Sequence, residues 1–195
     1  MDKKRFMVVS GFLGAGKTTT MVALTEYINS IGKHAAIFAN DLGANYIIDA
    51  EYSSRQNVEV TPIGGDCICY IPDTLIERIN RLNKEPKDIV MSDIPGCGIG
   101  ALDHVYGNLD KNHKDEFTLA PFTVIADPER LRMIMPEQAD INLPEELKFL
   151  LDAQLREADC IVPNKTDLMS EEEVARYVKF LQEACPGIPV FPISA

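Results

Sequence analysis

The sequence predicts an α/β chain with a mainly parallel sheet and helices on both faces. Short apolar runs at Phe6 to Val9, Ala35 to Ala39, Ile89 to Met91, Phe122 to Ala126, Cys160 to Val162 and Val190 to Ile193 each have the length of a buried strand. Between several of them lie segments whose apolar residues recur every three or four positions, the period of an amphipathic helix. Strand and helix alternating in this way imply crossover connections, with ligands bound at the carboxyl ends of the strands.

The first strand runs into residues 11–18, GFLGAGKT, which match the complete pattern G-x-x-x-x-G-K-[ST]. Gly11, Gly14 and Gly16 let the backbone turn its N–H groups inward around a triphosphate, and the helix that follows presents the positive end of its dipole to the same anion. Lys17 is placed to reach the β and γ phosphates, and the Thr18 hydroxyl to bind Mg²⁺. Gly14, Ala15, Gly16, Lys17, Thr18 and Thr19 form the expected phosphate-binding set. The fold expectation thereby sharpens to the P-loop NTPase fold, as one domain over residues 1–195.

The helices have their own signals. Met21, Leu24, Ile28 and Ile31 form the stripe of the first, with Gly32 as its C-terminal cap. Pro72 opens another with Leu75, Ile76, Ile79 and Leu82, and Pro144 a third with Leu147, Leu150, Leu151 and Leu155. Ser170 and Glu173 make a capping box ahead of Val174, Val178 and Leu181, and Pro186 with Gly187 ends that helix.

Residues 164–167 read NKTD just after the strand that ends near Val162. Guanine carries an N1–H and an exocyclic amine side by side, so one carboxylate accepting both selects it over adenine. Asp167 is placed for that task; Asn164 can bond the other edge of the base and its own neighbouring loop, and the Lys165 stem can lie over the ring. Asn and Asp after a strand also serve as turn caps, but the phosphate loop upstream favours base recognition. Ser194 and Ala195 follow another strand, where a backbone N–H toward the guanine carbonyl and an ordinary strand end are both open.

After Ile89 to Met91 come Ser92, Asp93, Ile94, Pro95 and Gly96. An acid at the end of a buried strand beside the phosphate loop can orient a Mg²⁺ water, and a glycine three residues on can donate its N–H to the γ phosphate. The segment is a candidate switch. Gly96, Gly98 and Gly100 would permit the backbone change on hydrolysis, although glycines after a strand also mark a plain turn.

Composition narrows the partners. The 195 residues carry a formal net charge of −11, and Lys3 to Arg5 form the densest basic cluster, so a nucleic-acid surface is not expected. No apolar stretch approaches the roughly 18 to 20 residues that span a bilayer, and no signal-peptide pattern precedes the first strand. A cytoplasmic protein without a membrane partner is expected. Five cysteines, an odd number, argue against a disulfide framework and leave metal binding or burial.

The string GFLGAGKTT, with Asn40, Asp41, Leu42 and Gly43 after the second strand, Asp49 beyond, then Cys67, Cys69 and the NKTD, resembles the CobW/HypB/UreG group of P-loop GTPases, closest to its CobW branch. The likeness runs over essentially the whole chain. It implies a Mg²⁺-dependent GTPase that delivers a metal, or services a cobalt or nickel cofactor, in a client metalloenzyme or corrinoid protein, often as a homodimer. Carried onto this sequence, Asp41 matches the acid of the first switch, near Mg²⁺ or the attacking water, and Asp93 the acid of the second. Three departures stand out. The branch's G-C-x-C-C motif reads Asp66, Cys67, Ile68, Cys69 and Tyr70; the usual Glu of the second switch is Asp93; and the chain stops at Ala195, short of the smaller C-terminal domain common in that branch. A minimal relative and a fragment are both open.

In an extended segment, residues two apart face the same way, so Cys67 and Cys69 can offer two thiolates to one ion. A tetrahedral site needs more. Cys97 is a natural third ligand because it would join metal binding to the nucleotide state, and the same pair repeated across a twofold axis is the alternative. Thiolates suit Zn²⁺ or another soft or borderline transition metal. All three cysteines also suit plain burial, and Cys160 and Cys185 read as core. The expected activity is hydrolysis of GTP to GDP, with Lys17, Asp41 and Asp93 as its catalytic residues. An ATP-using P-loop ATPase or kinase and a non-catalytic nucleotide sensor are the alternatives.

Overall fold

The computed structural model describes residues 3–39, 58, 60–62, 68, 72–81, 88–94, 99–135 and 144–195. Among these residues seven strands form one sheet: β1 (Lys4–Gly11), β2 (Ala35–Ala39), β3 (Val60–Pro62), β4 (Ile89–Asp93), β5 (Phe117–Leu119), β6 (Thr123–Ala126) and β7 (Cys160–Pro163). Their order is β3-β2-β4-β1-β6-β7, with β5 also on β1, and every pairing between them is parallel. Parallel strands need covered faces and long crossovers, which the alternating sequence supplies.

β1 is the hinge of this arrangement. On one side it pairs β4 from Arg5↔Ile89 to Val9↔Asp93; on the other it pairs β5 at Lys4 to Phe6 and β6 at Val9 to Gly11. At the change of partner, the Val8 amide donates to the Tyr106 hydroxyl at 2.9 Å, and that hydroxyl donates to the Ala120 carbonyl at 2.7 Å. Burial pushes the Tyr106 phenol well above its ordinary range, so it remains a donor at every physiological pH.

Strand alternation divides the core in two. Val9, Ile37, Met91, Ile125 and Val162 face Met21 and Val22 of α1 (Lys17–Ser30). Phe6, Val8, Phe38, Val90, Val124 and Ile161 face the other way. They pack with α2 (Pro72–Arg81), the π-helix Leu102–Tyr106, α3 (Gly107–His113), α4 (Pro128–Ile134), α5 (Glu145–Arg156) and α6 (Glu171–Ala184). Helices therefore cover both faces, as the sequence predicts. Among the described residues no helix is long and apolar enough to cross a membrane.

The terminal signals act through hydrogen bonds. Gly32, at φ +77, closes α1 in a Schellman arrangement: its amide bonds Asn29 O at 3.0 Å, and the Lys33 amide bonds Ile28 O at 3.2 Å. Ile31 falls past the helix and is exposed, so it drops out of the expected stripe. The Ser170 hydroxyl and Glu173 carboxylate accept each other's backbone amides, forming the predicted capping box. Pro144 is the N-cap of α5, one residue ahead of the helix proper. Leu82 lies outside the described residues.

The expected strand at Val190 to Ile193 requires correction. Ile161 donates to Pro189 O and accepts from Phe191 N, and Pro163 O accepts from Ile193 N. Among the described residues this segment forms the single bridge Ile161↔Val190. Pro163 has no N–H to give Phe191, so the second bridge lacks half its bonds. β3, β5, α3, α4 and the π-helix are additional to the predicted elements.

Candidate nucleotide-binding site

The phosphate loop hangs between the end of β1 and the start of α1, at the carboxyl edge of the sheet. Gly11, Gly14 and Gly16 all have positive φ, at +134, +80 and +94. At Gly11 a Cβ would collide with the Ile125 carbonyl of the neighbouring strand, and at Gly16 with the side-chain amide of Asn164. The sequence needs glycine at both points for contact as well as for dihedral. Ala15 is fully buried, and its amide bonds Phe12 O at 3.1 Å.

α1 starts at Lys17 without a side-chain cap and without an acid in its first turn. By contrast, Asp127 caps α4 and Ser170 caps α6. The first amides of a helix have no acceptor within it, and the positive end of the helix dipole favours an anion at such a start. The Lys17 ammonium folds back over the loop and bonds the Gly11 carbonyl at 2.9 Å and the Phe12 carbonyl at 3.4 Å. It is thereby held inside the curve of the loop.

β7 and the segment after it bring the second motif to the same place. The Asn164 amide bonds Ala126 O at 2.8 Å, and its side chain, 1% exposed, donates to Ala15 O at 3.0 Å and accepts from Ala195 N at 3.1 Å. Lys165 takes the left-handed conformation at φ +61 and donates from its ammonium to Gly14 O at 2.6 Å. Asp167, in the short 3₁₀ turn Thr166–Leu168, is exposed and accepts from the Ser194 hydroxyl at 2.6 Å. Three segments far apart in sequence thus meet: the phosphate loop, NKTD and the Ser194–Ala195 end.

Ser194 and Ala195 do meet the motif, but through a hydroxyl that holds the Asp167 carboxylate and an amide that holds the Asn164 carbonyl oxygen. The Asn164 side chain bonds the phosphate loop through its nitrogen, a partner that the sequence reading does not name, and this last residue through its oxygen.

Asp93 closes β4 at 7% exposure, opposite Val9 and on the face of the sheet that carries α1. A Mg²⁺ ion takes hard oxygen donors, and the Thr18 hydroxyl with this buried carboxylate fits that chemistry. Burying a carboxylate is costly unless a cation or hydrogen bonds meet it. Asp41, Gly96, Cys67, Cys69 and Cys97 lie outside the described residues. Among the described residues no three His, Cys, Asp or Glu side chains converge on a common point. Cys160 is half-buried and Cys185 buried, and burial pushes both thiols above their ordinary range, as suits core positions. Glu157, which accepts the Gly100 amide, carries no sequence signal because the contact joins residues 57 positions apart.

The family model for the CobW/HypB/UreG nucleotide-binding domain matches residues 5–192. The zinc-regulated GTPase metalloprotein activator 1 of Schizosaccharomyces pombe is 26% identical over 186 residues, covering 90% of this chain and 42% of that protein. The zinc chaperone CobW of a Sinorhizobium species is 25% identical over 183 residues, covering 83% of this chain and 51% of its own length. This chain therefore spans about half the length of the curated relatives it matches. Among solved structures, the hydrogenase maturation factor HypB from Archaeoglobus fulgidus superposes with a TM-score of 0.67 at 15% identity, over 98% of this chain and 81% of that one. At that identity the likeness is one of fold.

Proposed function

The chain belongs to the CobW/HypB/UreG family of nucleotide-binding domains, and from that premise we propose that it is a Mg²⁺-dependent GTP hydrolase that acts as a switch in delivering a metal or metallocofactor to a client enzyme. One observation supports this above the rest: Asn164 and Lys165 are bonded to the carbonyls of Ala15 and Gly14, which sets Asp167 at a fixed reach from the phosphate loop. A nucleotide whose phosphates lie against Gly14 to Thr19 then presents its base to that carboxylate, which accepts the paired donors of guanine.

The chemistry is in-line attack of water on the γ phosphorus. The bond to the β,γ-bridging oxygen breaks, and GDP and inorganic phosphate leave. Lys17 moves from the Gly11 and Phe12 carbonyls onto the phosphoryl oxygens, where it meets the developing negative charge together with the first amides of α1. Thr18, Asp93 and Asp41 would hold Mg²⁺, which when bound neutralises charge on the phosphates. Gly96 is assigned to the γ phosphate.

The cargo is a soft or borderline metal held by Cys67 and Cys69, with Cys97 or a second copy completing the site, and the family relatives named for zinc support that ion over others. A corrinoid protein as client, homodimer formation and a cytoplasmic setting belong to the same proposal.

Competition between GTP and ATP for the purified chain tests the base assignment. Asp167→Asn is expected to lower the preference for GTP by about tenfold or more, and an unchanged ratio overturns it. Lys17→Ala is expected to lose triphosphate binding; retained affinity overturns the phosphate-loop assignment.

A further inference from the structure

α1 and its C-cap carry two apolar stripes. Met21 and Val22 are buried against the sheet, with Thr25 beside them. Leu24, Tyr27, Ile28 and Ile31, spaced i, i+3, i+4 and i+7, form the second. Leu24 and Ile28 pack against the core beneath the helix, while Tyr27 and Ile31 are 63% and 53% exposed. Two residues past Tyr27, and so almost opposite it on the helix, the Asn29 side-chain oxygen accepts the Ala35 amide at 3.4 Å. The second stripe therefore looks away from β2, toward the half of the sheet that holds β6 and β7.

The apolar surface continues beyond β7. The amides of Phe191 and Ile193 bond Ile161 O at 3.0 Å and Pro163 O at 2.8 Å, so the segment is extended and both side chains fall on one face. Ile193 packs with the core under α1, and Phe191, on that same face, is 57% exposed. Among the described residues α1 is the helix on this face of the sheet, and the π-helix and α2 to α6 pack on the other. A parallel sheet normally has both faces covered.

Charge narrows what can sit there. From Thr18 to Gly32 the chain has one charged residue, Glu26, and from Pro186 to Ala195 it has none. α6, of similar length, carries Glu171, Glu172, Glu173, Arg176, Lys179 and Glu183. A net charge of −11 makes copies of this chain repel one another, and the repulsion is least where two uncharged faces meet. A cationic partner drawn by the same charge would find only Glu26 to pair with.

We propose that this face, with Tyr27 and Ile31 on the helix and Phe191 beside them, binds the same face of a second copy across a twofold axis. A twofold contact sets one patch against itself, so an apolar stripe meets an identical stripe and needs no complementary charge. The contact gives the homodimer proposed above its surface, and rests on that reading. Tyr27 lies ten residues along α1 from Lys17, about 15 Å, so the dimer forms with or without nucleotide.

Light scattering over a range of concentrations, with and without GDP, compares the whole chain with three variants: the double change Tyr27→Lys and Ile31→Lys, Phe191→Lys, and Phe149→Lys. Phe149 is an exposed aromatic of α5, on the opposite side of the sheet, and serves as the control. The wild type is expected at twice the monomer mass in both conditions. The double variant and Phe191→Lys are expected to raise the dimer dissociation constant by about thirtyfold or more, with helical circular dichroism unchanged, and Phe149→Lys to leave it as it is. If the double variant loses helix, Phe191→Lys decides, since its site lies outside any helix. A wild type that stays monomeric overturns the homodimer and this face together. A dimer that survives the lysines, or that forms only with GDP, overturns this face and leaves the homodimer standing.

Discussion

The side-chain amide of Asn164 donates to the main-chain oxygen of Ala15 at 3.0 Å, joining residues 149 positions apart. The same side chain accepts the Ala195 amide at 3.1 Å and is almost wholly buried. It is the pin through which the phosphate loop, the NKTD turn and the last residues share one geometry.

Removing that pin leaves Ala15 O and Ala195 N without their partner. Asn164→Ala is therefore expected to lower stability by about 2 to 3 kcal/mol, the cost of two hydrogen bonds lost at a buried site. Guanine-nucleotide affinity should fall with it, because the loop and the base turn lose their common reference. Urea unfolding and nucleotide titration measure the two effects. An unfolding midpoint equal to that of the wild type would show that the two groups find other partners.

Gly16 meets the same pin from the other side. At φ +94 a side chain is strained, and its Cβ would overlap the Asn164 amide nitrogen. Gly16→Ala is expected to cost about 1 to 3 kcal/mol from the dihedral, with a further loss from displacing Asn164. Loss of nucleotide affinity should exceed that of Gly14→Ala, since Gly14 shares the positive φ but has open space where its Cβ would go. Equal losses would assign the whole effect to backbone strain.

Much of this was legible in the sequence because it is carried by local signals. The phosphate loop, the Gly32 cap and the Ser170–Glu173 box each depend on residues a few positions apart, and all form as read. The order β3-β2-β4-β1-β6-β7 was not legible, since alternation of elements names the crossover without fixing which strands become neighbours. The three-residue strands β3 and β5 were equally hidden: Phe117–Leu119 has too few residues to show a period, and its pairing with β1 gives it its form. At Val190 to Ile193 the apolar pattern was real, but a proline on the neighbouring strand, Pro163, decides the hydrogen bonding. In the site, residue types were readable and partners were not. Nothing in the sequence around Ser194 says that its hydroxyl meets Asp167.

The capping box of α6 gives a dependence on pH. The Ser170 amide, and after it Arg132, hold the Glu173 carboxyl below the ordinary glutamate range. A group whose folded value is depressed adds stability above its unfolded value and loses that contribution as pH falls through the folded one. Glu173→Gln keeps the capping acceptor and removes the charge. The wild type should be the more stable at about pH 7, and the difference should narrow as pH drops toward about 3. Urea midpoints of both chains at the two pH values decide this, and a difference that does not change with pH would remove the charge from the account.

Ser10 offers the opposite kind of substitution. It lies on β1 directly before the phosphate loop, is completely buried, and its hydroxyl has no hydrogen-bond partner among the described residues. A hydroxyl that gives up water and gains no bond opposes folding, whereas a methyl group in the same space does not. Ser10→Ala is expected to raise stability by about 1 kcal/mol. Its backbone pairing with Val124 is untouched by the change, so β1 should deliver Gly11 and the loop beyond it to the same place and guanine-nucleotide affinity should hold. A higher urea midpoint with unchanged nucleotide affinity is the expected pair of results. A lower midpoint would mean that the hydroxyl is bonded in solution, and a loss of affinity alone would give it a part in shaping the loop.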